Sequence, residues 1–161
     1  MRNLVTFILI AVVPVGVSAQ PSNFEQNNEV KTTVDALMGA FEAENITKFE
    51  EIMARDPSMV TFGTDASERW VGFEAVRDSF AKQVSAFEVE KINTSNQVIK
   101  IGGEGSVAWF SQVVDWSISI NGSSQSVPGI RVTGVLEKSS DGWKIVQFHT
   151  SAPVQGQVVA Y

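Results

Sequence analysis

Cysteine is absent from the 161 residues, and histidine occurs once. Such a chain has no disulfide, no thiol nucleophile and no cysteine to carry a lipid after an export signal. The residue types on which zinc sites lean are therefore nearly missing, so neither a structural metal nor a cofactor is expected. Basic residues are also in deficit. Twelve Lys and Arg stand against 18 Asp and Glu, for a formal net charge of −6. Neutralising nucleic-acid phosphates takes clustered Lys and Arg, which argues against nucleic acid as a partner. Without cross-links, the core alone must hold the fold, even in an oxidising compartment.

Only one long apolar run occurs, Leu4 to Val17, preceded by Arg2 and followed by the small-residue ending Val17-Ser18-Ala19. Residues 1–19 read as a signal peptide cut before Gln20, since a membrane span needs about 20 apolar residues and Pro14 and Gly16 interrupt this run. A retained N-terminal anchor is the alternative. Export predicts a secreted or periplasmic protein with no stable membrane anchor once the signal is gone. What remains has the length of one ordinary domain. Residues 20–27 read as a flexible polar segment, 28–154 as the domain and 155–161 as a tail.

Along the domain, Val30, Val34, Leu37, Met38 and Phe41 recur at helical spacing and predict a long amphipathic helix. Thr47-Lys48-Phe49-Glu50 reads as a capping box opening a short second helix, ended by Asp56-Pro57. Two short strands, Met59 to Phe62 and Trp70-Val71, flank a Gly63-Thr64-Asp65 turn. Phe73, Val76, Phe80, Val84 and Phe87 mark a third helix. Four β-rich runs then follow at 88–101, 104–120, 125–138 and 143–151, separated by Gly102-Gly103, Asn121-Gly122 and Asp141-Gly142. Helices followed by a hairpin meander predict an α+β fold, three helices on an antiparallel sheet. The run 104–120 would extend ~56 Å if straight, against a radius of gyration of about 14–15 Å for a domain this size. The sheet must therefore curl through bulges into a cone-like barrel with an internal cavity suited to a small molecule, and Pro128-Gly129 marks either a bulge or an edge.

Apolar residues occupy both faces of the last strands: Trp143 and Ile145 against Val146 and Phe148, and Ile130, Val132 and Leu136 against Val135. One reading is a homodimer packed sheet against sheet. The other is that bulges flip the register and bury one face only.

These features together resemble the SnoaL-like branch of the nuclear-transport-factor-2-like superfamily. The resemblance rests on Phe62-Gly63-Thr64-Asp65 through Trp70-Val71-Gly72, on Gly129 to Thr133, and on Asp141-Gly142-Trp143 through Ser151. The ending Phe148-His149-Thr150-Ser151-Ala152-Pro153 is also similar to the association domain of calcium/calmodulin-dependent kinase II. That domain gathers several arginines in its pocket, where these strands offer only Arg131. The superfamily includes isomerases, cyclases, dehydratases and non-catalytic binding or assembly domains, so the resemblance implies a pocket more than a chemistry.

His149 is a candidate general acid or base, or a structural histidine; the resemblance implies a pocket-side position for it. Asp115 is a candidate carboxylate base, or a solvated strand residue. Arg131 can clamp a ligand carboxylate or phosphate, or pair internally with Asp115 or Glu137. Trp70 and Trp109 are the aromatic pocket candidates; Trp116 is set aside as packing and Trp143 as a core plug. A two-residue turn, Asp141-Gly142, would place Gly134 opposite His149 and turn Arg131 to the other face, whereas the favoured three-residue turn, Ser140-Asp141-Gly142, would place Thr133 opposite His149 and Arg131 opposite Ser151. Arg131, Thr133, His149 and Ser151 then form a polar ligand-binding cluster at the cavity mouth. The reading that follows is an exported homodimer binding a small, largely apolar molecule without turnover. The alternatives are a proton-transfer enzyme of isomerase, cyclase or dehydratase type, and an interaction or assembly module.

Overall fold

A computed structural model describes residues 23–154, with 156 and 159, so the signal-peptide reading lies outside the described residues. The chain runs α1 (Asn23–Glu42), α2 (Ile46–Ile52), β1 (Val60–Phe62), β2 (Arg69–Val71), α3 (Phe73–Ala86), β3 (Glu88–Gly102), β4 (Val107–Ile120), β5 (Ser123–Ser139) and β6 (Gly142–Ser151). The expected α+β fold is present: three helices over one curved, unclosed sheet of order β2-β1-β6-β5-β4-β3. One pair departs from the antiparallel expectation, because β1 runs parallel to β6. The chain leaves α2 alongside β6, with Met53 bridged to Ile145 and Ala54 N–H donating to the Ile145 carbonyl, and β1 continues in that direction.

Helix α1 begins inside the segment expected to be flexible. Its first two turns bury no apolar residue, and Phe24 is 75 % exposed, so no periodic stripe marks them in the sequence. From Val30 onward the predicted stripe is buried as expected. Each such side chain contributes about 1.5–3 kcal/mol on leaving water. The cap of α2 lies two residues before the predicted one. Asn45, not Thr47, is the N-cap, and its Oδ1 accepts from Lys48 N–H at 3.0 Å. Phe49 stacks on Phe80 of α3 with centroids 4.3 Å apart, and Arg77 of α3 pairs with Glu50.

Bulges curl the sheet where the strand lengths demanded it. Glu90 and the Asn96–Gln97 pair break the β3–β4 register, and Pro128-Gly129 faces Asp115 alone between β5 and β4. Gly129 takes φ 73°, a left-handed conformation that glycine adopts without strain. Val146 is the extra residue between β5 and β6. That last bulge resolves the two-sided apolar pattern of β6, because the strand's parity flips there. Trp143, Ile145 and Phe148 are consequently all buried, at 4 %, 0 % and 7 % exposure.

The Val146 bulge also explains the register. The β5–β6 turn contains two residues, Ser140 and Asp141, between the Ser139–Gly142 pair, rather than the three predicted. The residue expected in the turn is inserted at Val146 instead. Beyond it the pairing is the expected one, Thr133 with His149 and Arg131 with Ser151.

Candidate functional site

Between the helices and the sheet lies a cavity of about 260 Å³. All three helices contribute: Phe41 from α1, Phe49 from α2 and Phe80 from α3. The sheet supplies Trp70, Trp116, Ile130 and Phe148. Phe41 sits edge-on to Trp116 with centroids 5.1 Å apart, and Phe87 lies 6.4 Å from the same indole. The wall is thus mainly ring surface. Its outer border is loop 63–68 with Val127 and Ala152, the latter two exposed to solvent.

Polar groups are few along this wall. Ser79 returns its hydroxyl to the Val76 carbonyl, and Thr150 donates to the Phe62 carbonyl. The indole N–H of Trp116 is buried and has no acceptor among the described residues, an unmade bond that typically costs about 1–3 kcal/mol. Glu68 is the one ionisable side chain among the lining residues. Its Oε2 accepts from Asp65 N–H at 2.9 Å and from the Thr64 hydroxyl at 3.5 Å, while Oε1 accepts nothing among the described residues. Gly63 makes this placement sterically feasible, since a Cβ there would lie 2.2 Å from Oε2. Asp65 stiffens the same loop by accepting from the backbone N–H and hydroxyl of Ser67, both at 3.0 Å, which hold its carboxyl below the usual 3.8. No group of three or more potential metal ligands occurs among the described residues.

The predicted polar cluster forms, but not at the cavity. Arg131, Thr133 and His149 are exposed and Ser151 is half-buried. They share a face, while the alternating Ile130, Val132 and Phe148 are buried toward the helices. The strand pleat therefore places the cluster on the outer face of the sheet. His149 packs edge-on against Phe62, with centroids 5.6 Å apart. Arg131 forms no ion pair among the described residues, so the internal pairing with Asp115 or Glu137 is not found. Asp115 is exposed, and its Oδ1 accepts from Gly129 N–H at 2.7 Å, which pins the β5 bulge. Neither carboxylate nor imidazole candidate faces the cavity.

Among the tryptophans, Trp70 lines the cavity as expected, whereas Trp109 is 49 % exposed on the outer face. Trp116, set aside in the sequence, is the wall residue. The signal was available in β4, where Ala108, Phe110, Gln112 and Val114 alternate as buried positions and Trp116 continues their parity. Glu68 carried no signal, because its inward placement depends on the fold of a loop rich in polar residues.

Residues 30–155 match the SnoaL-like domain. Among functionally curated proteins none matches. Among solved structures, a nuclear transport factor 2-like superfamily protein from Salmonella enterica serovar Typhimurium superposes with a TM-score of 0.73 at 15 % identity. The match covers 85 % of this chain and 97 % of that one. A provisionally named dehydratase of the same superfamily from Streptomyces avermitilis gives 0.69 at 15 % identity, over 81 % and 99 % of the two chains. A provisionally named association domain of calcium/calmodulin-dependent protein kinase type II from Thiobacillus denitrificans gives 0.59 at 22 % identity, over 77 % and 94 %. At these identities the likeness concerns the fold alone.

Proposed function

The chain belongs to the SnoaL-like domain family, and from that premise we propose that it binds a small, largely apolar molecule in its cavity without turning it over. The observation that carries this reading is the wall itself, ring-lined and holding a single ionisable side chain, Glu68. An acid and base acting in concert need two such groups within reach of one substrate. The volume is roughly that of nine waters at about 30 Å³ each, which suits a ligand of modest size.

Export belongs to the same proposal and rests on the sequence of residues 1–19. So does a homodimer, now argued from the outer face of the sheet rather than from β6. Phe62, Val71, Val98 and Trp109 are 41–51 % exposed there, a set of large apolar side chains that a second copy would cover. Native mass spectrometry of the protein purified from its source compartment tests all three parts. The expected species is a dimer that begins at Gln20 and carries a co-purifying small molecule. A monomer with an empty cavity and an intact leader would remove them.

A second reading is favoured by Glu68. One carboxylate at the border of an apolar cavity can serve as a lone base for proton transfer in an isomerase- or dehydratase-type reaction. In that case Glu68→Gln would abolish turnover of a bound substrate while leaving its binding intact.

A further inference from the structure

Among the described residues lining the cavity Glu68 alone carries a charge, and its sign selects among apolar ligands. Resting on the binding reading above, we infer that the ligand is an organic cation, an ammonium compound with an apolar body, whose charged head lies against Glu68 and the rings beside it.

Three observations converge on this. Glu68 lines the cavity, its Oε2 is held by Asp65 N–H and Thr64, and its Oε1 has no donor among the described residues. The cavity also presents Trp70, Phe87, Trp116 and Phe148, rings whose faces attract cations through the ring quadrupole. No Lys, Arg or His is among the described lining residues, and Arg131 and His149 lie on the other side of the sheet. The net charge of −6 adds a field of the same sign.

A neutral hydrocarbon and an anion are each disfavoured on physical grounds. A neutral hydrocarbon filling the cavity would strip water from Oε1 and leave a carboxylate lone pair unmet, which is unfavourable. An anion would meet a like charge across a low-dielectric gap. A cation replaces the lost water with an opposite charge and gains the ring faces as well. A ligand oxygen reaching the Trp116 N–H would add to this without changing the sign that Glu68 selects.

Isosteric probes test the inference on the full mature chain by titration calorimetry. Benzyltrimethylammonium, neopentylbenzene, 2-methyl-1-phenylpropan-2-ol and benzylsulfonate differ mainly in the charge or hydroxyl at one position. The ammonium is expected to bind at least about tenfold more tightly than neopentylbenzene, and benzylsulfonate more weakly than either. Glu68→Gln keeps an acceptor for Asp65 N–H. It should tighten neopentylbenzene binding, because no ionised lone pair is then left unmet, and reduce the ammonium's advantage to about threefold or less. Should that variant fail to fold, raising salt from about 0.02 to 0.5 M on the unmodified chain should shrink the same advantage. Equal binding of ammonium and neutral isosteres, the alcohol included, would overturn the inference and leave the binding reading standing. Binding of none of the four would remove both.

Discussion

The two faces of the β5–β6 pair carry different physical problems on the same stretch of backbone. The inner face places Ile130, Val132, Leu136 and Phe148 at 0–7 % exposure under the helices. The outer face, one residue out of step, carries Arg131, Thr133, Val135 and His149 toward solvent. Inside, volume is constrained to a fraction of a methyl group and vacancies persist as cavity. Outside, side chains are hydrated and their identity is loosely constrained by the fold. A cluster of polar residues can thus be correctly paired across two strands and still not face the cavity. Pairing and facing are separate facts.

The sharpest way to break this comparison is truncation on each side. Phe80, 1 % exposed and stacked on Phe49, should lose about 3–5 kcal/mol of unfolding free energy as Phe80→Ala. Thr133→Ala on the outer face should stay within about 0.5 kcal/mol. Urea denaturation of both variants measures this, and a comparable loss at Thr133 would mean that the Arg131, Thr133 and His149 cluster lies inside the interface of the proposed dimer and not beside it.

A smaller effect is expected from overfilling. Gly134 lies on the inner face of β5, where a Cβ would come within 2.5 Å of a Phe110 ring carbon and 2.7 Å of the Gln147 carbonyl oxygen. Gly134→Ala should therefore destabilise by about 1–3 kcal/mol, although alanine favours extended backbone more than glycine does. A neutral or stabilised variant, read by thermal melting, would show that Phe110 has room to move.

Ligand binding should divide along the same line. Trp70→Ala removes a cavity wall and should weaken any bound apolar ligand by roughly tenfold, or about 1.4 kcal/mol. Trp109→Ala and His149→Ala, on the outer face, should leave that affinity unchanged. Loss of binding on altering His149 would restore the polar cluster to the site.

The weakest effect concerns the helix layer that closes the inner face. The hydrogen bond from Arg77, then its charge, holds the Glu50 carboxyl below its ordinary 4.5. A carboxyl depressed in the folded state contributes stability that is fully present above about pH 4.5 and is lost as pH falls through the folded value. Glu50→Gln should thus flatten the acid limb of stability against pH between 4.5 and lower values, with no change near pH 7 in its slope. An acid limb identical to that of the unmodified chain would show that the pair is fully screened by solvent.

Much of the fold was legible because it rests on local periodicity. The stripe Val30 to Phe41, the third-helix pattern and the turn Asn121-Gly122, whose residues take φ 52° and 78°, depend on neighbours within a few positions. The cap at Asn45 was missed because two polar residues near α2 both suit capping, and only the backbone geometry of the first turn separates them. The site was less legible still. Trp70 was found, whereas Trp116 and Glu68 were not and Trp109 was taken for a wall residue.

By itself, then, the sequence determined the class of the fold, the order of its elements and the need for a bent sheet, since composition and spacing act along the chain. Tertiary structure alone decided which residues meet in the cavity. Side-chain facing in a strand alternates every residue, so a single bulge such as Val146 reverses everything beyond it. Where that bulge falls depends on how β6 must pack against α2 and β1, contacts between segments about ninety residues apart in the chain. No local signal encodes such a choice, and the cavity wall follows from it.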